Sequence, residues 1–198
     1  RLPGHQPVTD PEARARVAAE WGFEPPARPG WTATELLAAF GDEVRAALVV
    51  GENPAVSKRE RDWVARRLDA LDALVVVEVA ESETTRHADV VLPAAAGVEK
   101  AGTFTNLDRR VQRTRPTVAP PDGVRPDVEI LRDLGRRLCP GTGWFDHETV
   151  GDVFDELTRV APTHAGVSFA DLGPEGRQWP FDEDGVLYRR RFGPASGR

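Results

Sequence analysis

Methionine is absent from this chain of 198 residues, cysteine and tyrosine occur once each, and only two of the 26 basic residues, Lys58 and Lys100, are lysine. A single cysteine excludes an internal disulfide and any Cys-rich zinc site. Cys139, near the end of a helical stretch, reads as a small buried hydrophobe rather than a nucleophile. The longest apolar runs are about seven residues, against the roughly 20 that span a bilayer, and no basic-then-apolar signal segment opens the chain. The charge balance, 26 Lys+Arg against 32 Asp+Glu for a net −6, lacks the basic excess of a general nucleic-acid binder. The histidines (His5, His87, His147, His164) form no H-x-x-x-H pair and no cluster with the cysteine, so no side-chain metal site is expected. No G-x-G-x-x-G follows an apolar strand and no G-x-x-x-x-G-K-[ST] occurs, which leaves standard dinucleotide and Walker-type sites unsupported. The lone Gly141-Thr142-Gly143 reads as a turn. Beginning at Arg1 without methionine, the chain is expected to be processed or a piece of a longer polypeptide.

What is present suffices for one domain with a sizeable core. Residues 1–31 hold six of the 17 prolines and one helix signal: Asp10 as N-cap, Pro11 at the first helical position, Gly22 after Trp21. Thr32-x-x-Glu35 is a capping box opening a helix that buries Leu36, Leu37 and Phe40. Residues 44–50 (VRAALVV), 73–79 (ALVVVEV) and 89–92 (DVVL) read as strands. Between the first two, Ser57-x-x-Glu60 predicts a second capping box on a helix through Trp63, Val64, Leu68 and Leu71. Continuous apolar strands alternating with a helix predict a parallel sheet covered on both faces, with a right-handed crossover. Residues 94–126 read as an irregular excursion. A helix from Asp127 is expected to turn Val128, Leu131, Leu134 and Leu138 inward, and a last one to use Val150, Val153, Phe154, Leu157 and Val160. From about 162 the Gly/Pro/charge-rich chain reads as a connector.

Open parallel sheets bind ligands at the carboxyl ends of their strands. Gly51 ends the first strand and permits close backbone approach. Asn53 follows with one acceptor and two donors, and Glu78 ends the second strand with a carboxylate. Turn chemistry before Pro54 accounts for Asn53 equally well, and a solvated strand end for Glu78. The run Arg109, Arg110, Arg113, Arg115 reads as a solvated edge strand or, less readily, as a phosphate clamp.

The string VVGENPAVS, then ADVVLP followed by EKAGTFTNLDRRVQR, resembles the molybdopterin oxidoreductases related to dimethyl sulfoxide reductase. The opening PGHQPVTDPEARARVAAEWG and the segment ending Gln178-Trp179-Pro180 resemble the formate dehydrogenase catalytic subunit in particular; the likeness runs over residues 2–181. It implies an α/β fold: a three-layer Rossmann-like parallel sheet with a helical C-terminal extension. Residues 1–31 are then an opening segment with one helix, 32–161 a molybdopterin-guanine-dinucleotide-binding domain, and 162–198 a connector toward a further domain. The resemblance implies bis-molybdopterin guanine dinucleotide carrying Mo or W, with cofactor contacts at Asn53, Val77 (through backbone), Glu78, Lys100 and Asp127. Glu78 stands where the family has Asp, and Asp127 also reads as an N-cap. No catalytic residue and no metal ligand is expected within these residues. The metal-ligating Cys or selenocysteine and the 4Fe-4S cysteines of the family lie upstream, so the isolated chain is expected to be inactive.

The implied whole enzyme oxidises formate to CO2 by two electrons. Its partners are the rest of the same catalytic subunit and electron-transfer subunits, without nucleic acid or membrane contact by this segment, and the expected compartment is the cytoplasm. Nitrate reductase and the large subunit of NADH-quinone oxidoreductase are the alternatives of similar kind. A non-catalytic nucleotide-binding scaffold is the alternative of another class.

Overall fold

The structure is a computed structural model that describes residues 1–181, 186 and 187. Its helices are α1 (Pro11–Trp21), α2 (Ala33–Ala38), α3 (Pro54–Ser57), α4 (Arg61–Asp69), α5 (Asp127–Leu138) and α6 (Val150–Val160). Its strands are β1 (Ala46–Val50), β2 (Ala73–Glu78), β3 (Val90–Pro93), β4 (Gly102–Thr105), β5 (Arg110–Thr114) and β6 (Arg177–Gln178).

Local signals decide most helix starts. Asp10 accepts from the N–H groups of Glu12 and Ala13, Pro11 fills the first position, and Gly22 closes α1 at φ 73°. The Thr32/Glu35 box opens α2 as expected. The Ser57/Glu60 box does not form: Ser57 ends the short α3, and Glu60 precedes α4 without a side-chain cap. Pro54 preorganises that extra turn, which consumes the serine that the box needed.

The chain divides into two units. The first comprises Gly30–Lys100 and Pro116–Pro140. Its sheet has the order β1-β2-β3, all parallel, with Val50 beside Val77 and Val77 beside Leu92. Leu74 and Val76 face α4, packing with Val64, Leu68, Leu37 and Phe40. Val77 faces the other way, with Ala94 and Ile130 and the half-buried Leu92 and Leu134. Among the described residues, only β2 is covered on both faces. β1 is an edge strand whose Leu48 and Val50 remain 46% and 39% exposed, and Val90 of β3 remains 46% exposed. Among the described residues the expectation of two covered faces is therefore not met at the flanking strands: α5 packs on Val77 and Leu92, while Leu48 of β1 stays 46% exposed. A cleft of about 360 Å³ at β1 is lined by Leu36, Phe40, Leu48, Val50 and Pro54, and Leu36 is 40% exposed rather than buried.

On α5 the inward stripe differs from expectation. Ile130 is buried at 4% exposure, whereas Leu138 is 77% exposed. The helix is amphipathic, but its phase is set by Ile130 and Leu134 meeting Val77, not by the last-turn leucine.

The second unit comprises Arg1–Pro29, Ala101–Arg115 and the described residues from Gly141 onward. Val17 of α1 packs with Val160 of α6 and Leu2. Part of the expected irregular excursion is a hairpin: β4 and β5 pair antiparallel around Asn106, whose side chain accepts the Arg110 N–H at 2.9 Å, with Arg109 at φ 64°. β6 adds to β5. Val167 and Leu172, in the expected connector, are buried with Val111 and Phe154. Residues 182–185 and 188–198 of that connector lie outside the described residues.

Candidate functional site

The carboxyl ends of β1, β2 and β3 carry the residues expected to bind a ligand. Parallel pairing aligns the three ends: the Gly51 N–H donates to the Val77 carbonyl at 2.9 Å, and the Ala94 N–H to the Glu78 carbonyl at 2.9 Å. Gly51 lies at φ 59° with open space where a Cβ would project. Beyond β3 the chain departs and comes back. Arg125 pairs with Ala94, which brings the start of α5 to the same edge.

Asn53 sits between β1 and α3, half-buried, and its carboxamide is not used as a helix cap. Its Oδ1 accepts from both the Thr84 backbone N–H, at 3.2 Å, and the Thr84 hydroxyl, at 2.7 Å. Its Nδ2 donates to Glu83 Oε2 at 2.7 Å. This bond holds the exposed Glu83 carboxyl below the usual range, with help from its own backbone N–H and then Arg86 and Arg61. Thr84, fully buried, accepts the Ala55 N–H at 3.2 Å. Neither Thr84 nor Glu83 stands out in the sequence. The available signal was the polar run Glu81-Ser82-Glu83-Thr84-Thr85 directly after a buried strand, one step along the sheet edge from Asn53.

Val77 is fully buried, and its carbonyl is occupied by Gly51. Glu78 is half-buried at the strand end. Its Oε1 accepts the Val79 N–H at 2.8 Å, and Oε2 makes no protein bond among the described residues. A carboxylate has about four lone-pair sites, so the group retains capacity for two further donors.

Lys100 and Asp127 meet in an ion pair, each side chain about a quarter exposed. Asp127 is the first helical residue of α5, after Pro126, and makes no capping bond. The N-cap reading of Asp127 is corrected: Pro126 occupies the cap, and the lysine takes the carboxylate. An aspartate in the first turn still favours the helix through the macrodipole. The Lys100 ammonium is paired and partly buried rather than a free surface charge. Three donors on one ammonium leave it able to serve a second acceptor.

Three of the four arginines of the run are engaged within the second unit, so the solvated-edge reading does not hold for them, while Arg115 is exposed. Arg109 donates to the Trp179 carbonyl at 2.8 Å and lies 5.7 Å from that indole ring. Arg110 donates to the Glu175 carbonyl at 3.1 Å, and Arg113 covers the Phe169 ring at 4.1 Å. These guanidiniums hold residues 169–179 in the second unit. Among the described residues no group of His, Cys, Asp and Glu has the arrangement of a metal site, and no helix is long and apolar enough to cross a membrane.

The edge thus offers a glycine with open approach, one amide, one carboxylate and one paired ammonium. Chemically, the carboxylate can accept from adjacent N–H donors, and the amide N–H and the cation can meet oxygens.

Comparison with known proteins gives the same direction. Residues 12–137 match the family described as "Molybdopterin oxidoreductase". The chain is 41% identical over 197 residues to "F420-dependent formate dehydrogenase 2 subunit alpha" of Methanococcus maripaludis, covering 96% of this chain and 29% of that protein. It is 35% identical over 202 residues to "F420-dependent formate dehydrogenase subunit alpha" of Methanocaldococcus jannaschii, covering all of this chain and 30% of that one. The acetylene hydratase of Pelobacter acetylenicus shares the fold, with a TM-score of 0.55 at 17% identity over 86% of this chain and 24% of its own. The chain spans less than a third of these relatives. With 126 of its residues matching the family, over the same strands and edge loops described above, the chain belongs to the molybdopterin oxidoreductase family.

Proposed function

We propose that this chain is the part of a formate dehydrogenase-like catalytic subunit that holds the guanosine end of one half of a bis-molybdopterin guanine dinucleotide. The observation that supports it most directly is the convergence of Asn53, Glu78 and the Lys100–Asp127 pair on one edge of the parallel sheet, where such sheets bind ligands. In this reading the Glu78 carboxylate accepts from the N1–H and 2-amino groups of guanine. Asn53 and Lys100 meet oxygens of the diphosphate and pterin, Val77 contributes backbone, and Gly51 gives room for the ligand. Asp127 keeps Lys100 aimed at the edge. The sheet, with α4 on one face and α5 on the other, is the core of a three-layer Rossmann-like domain.

The bound group supplies the two-electron redox chemistry at its Mo or W, with formate as the reductant and CO2 as the product. The residues of this chain bind and orient; they transfer no proton. The 4Fe-4S cluster and the metal-ligating residue belong to the remainder of the catalytic subunit. Electron-transfer subunits are its partners, and the compartment proposed is the cytoplasm. Relatives named as formate dehydrogenase subunits at 41% and 35% identity favour this over nitrate reductase or a scaffold without molybdenum.

The experiment is to purify the complete catalytic subunit and quantify molybdenum, tungsten and acid-released GMP per mole, with formate-dependent dye reduction alongside. Near two GMP per metal with formate activity is the expected result. A subunit that folds and carries neither metal nor GMP overturns the proposal.

A further inference from the structure

We propose that Thr84 is a positioning residue that fixes which face of Asn53 is presented at the sheet edge, so that Asn53 meets its ligand solely as an N–H donor. The inference rests on the reading of Asn53 as a ligand contact and specifies what that contact accepts: an oxygen without a proton, on a phosphate or a carbonyl.

An asparagine carboxamide has four hydrogen-bonding positions, two lone pairs on Oδ1 and two hydrogens on Nδ2. Three are occupied. Both lone pairs go to Thr84, to its backbone N–H at 3.2 Å and its hydroxyl at 2.7 Å. One hydrogen goes to Glu83 at 2.7 Å. The orientation is not ambiguous, because a backbone N–H can only donate and an ionised carboxylate can only accept. The remaining Nδ2 hydrogen makes no bond among the described residues.

The hydroxyl of Thr84 is itself directed. It is fully buried and accepts the Ala55 N–H at 3.2 Å, so its single proton is left for Asn53. The relay runs from the Ala55 amide through Thr84 to Oδ1. It ties the end of β1 to the 3-10 turn Thr84–His87 that follows β2. A flipped amide would set Nδ2 against the Thr84 backbone N–H and Oδ1 against a carboxylate, and is excluded on both sides.

The test uses the complete catalytic subunit with its cofactor. The readout is the rate at which acid-releasable GMP is lost from folded protein during incubation below the melting temperature. Variants are Thr84→Val, Thr84→Ser, Asn53→Ala, Asn53→Asp and the double variant Thr84→Val/Asn53→Ala. Thr84→Val is expected to speed the loss roughly three- to tenfold, the range of one hydrogen bond, and Thr84→Ser to restore the parent rate. The double variant is expected to match Asn53→Ala, because Thr84 acts through Asn53. Asn53→Asp keeps both acceptor bonds to Thr84 but loses the outward donor and the bond to Glu83, against whose carboxylate it sets a second one, so it is expected to be at least as poor as Asn53→Ala. This arm can overturn the donor assignment even if Thr84→Val fails to fold. A Thr84→Val effect of equal size with and without Asn53 overturns the positioning role, and so does parent-like loss in Thr84→Val. Parent-like retention in Asn53→Asp overturns the donor assignment. Parent-like retention in Asn53→Ala instead removes Asn53 from the ligand contacts, and this inference falls with it.

Discussion

Lys100→Met in the complete catalytic subunit separates the pairing that the structure gives this lysine from the cofactor contact proposed for it. The substitution keeps the length and apolar stem and deletes the charge. The first role is partnership with Asp127. The two side chains are 27% and 26% exposed, so the pair lies between a surface ion pair and a buried one. A surface pair contributes about 0.2–1 kcal/mol, and a buried hydrogen bond to a charged group about 1.5–3 kcal/mol. Partial burial places this pair at about 1–2 kcal/mol. Asp127, if left alone, recovers some of that by rehydration and from its first-turn position on α5. The second role is contact with a cofactor oxygen, whose loss weakens cofactor retention by a further 1.5–3 kcal/mol or so, roughly ten- to a hundredfold. Asp127→Asn breaks the ion pair while sparing the ammonium. The assay is molybdenum or tungsten by mass spectrometry and GMP by chromatography, per mole of folded subunit, with melting temperature recorded in parallel. If Lys100 touches the cofactor, Lys100→Met loses at least about tenfold more cofactor than Asp127→Asn at a similar melting temperature. The cofactor role is refuted if the two agree within roughly a factor of two and the double variant equals either single one, since non-additivity of that form marks a pair acting on nothing else. Lys100→Arg is expected to restore only part of the loss, because a planar fork does not replace a compact ammonium.

Further outcomes follow from the same geometry. Glu78→Gln and Glu78→Ala are expected to lose GMP while Glu78→Asp retains it, because Gln turns one acceptor into a donor facing the N–H groups of guanine; equal GMP in all four proteins would make Glu78 an ordinary strand end. Ile130→Ala should destabilise the fold by about 2–5 kcal/mol, since the residue is 4% exposed against Val77, whereas Leu138→Ala at 77% exposure should change it by less than about 0.5 kcal/mol, as denaturant melts will show. Half-burial lowers the pKa of His164 from its ordinary 6.5. The unfolded chain therefore takes up a proton first as pH falls, so stability is present above pH 6.5 and declines from there down to the folded pKa. Melting curves from pH 8 to 5 should show this slope, and His164→Phe, beside Phe154, should flatten it.

Short-range physics was readable in the sequence alone. Asp10, Pro11 and Gly22 bound α1 because a cap needs an acceptor, a fixed φ and a residue tolerant of left-handed backbone, all within a few residues. The strands 46–50, 73–78 and 90–93 followed from their apolar runs, and their parallel order from the helical segment between the first two. Glycine, asparagine and glutamate at strand ends singled out the edge on which ligand binding is proposed. What the sequence could not supply was anything decided by residues far apart in the chain. The same continuous apolar run serves a covered strand and an edge strand, so the exposure of Leu48 and Val50 depends on where α5 packs. Gly-Thr-Phe-Thr and Arg-Val-Gln-Arg-Thr are too short and polar to announce a hairpin; the pairing of β4 with β5, and of β5 with β6 across more than 60 residues, makes them strands. Asp127 suited a cap until Lys100 arrived from 27 residues away to claim its carboxylate. Asn53 suited a turn until Thr84, 31 residues on, filled its oxygen. A polar side chain carries several hydrogen-bonding positions, and sequence fixes their number; only the tertiary fold decides which partners take them and which one is left facing out.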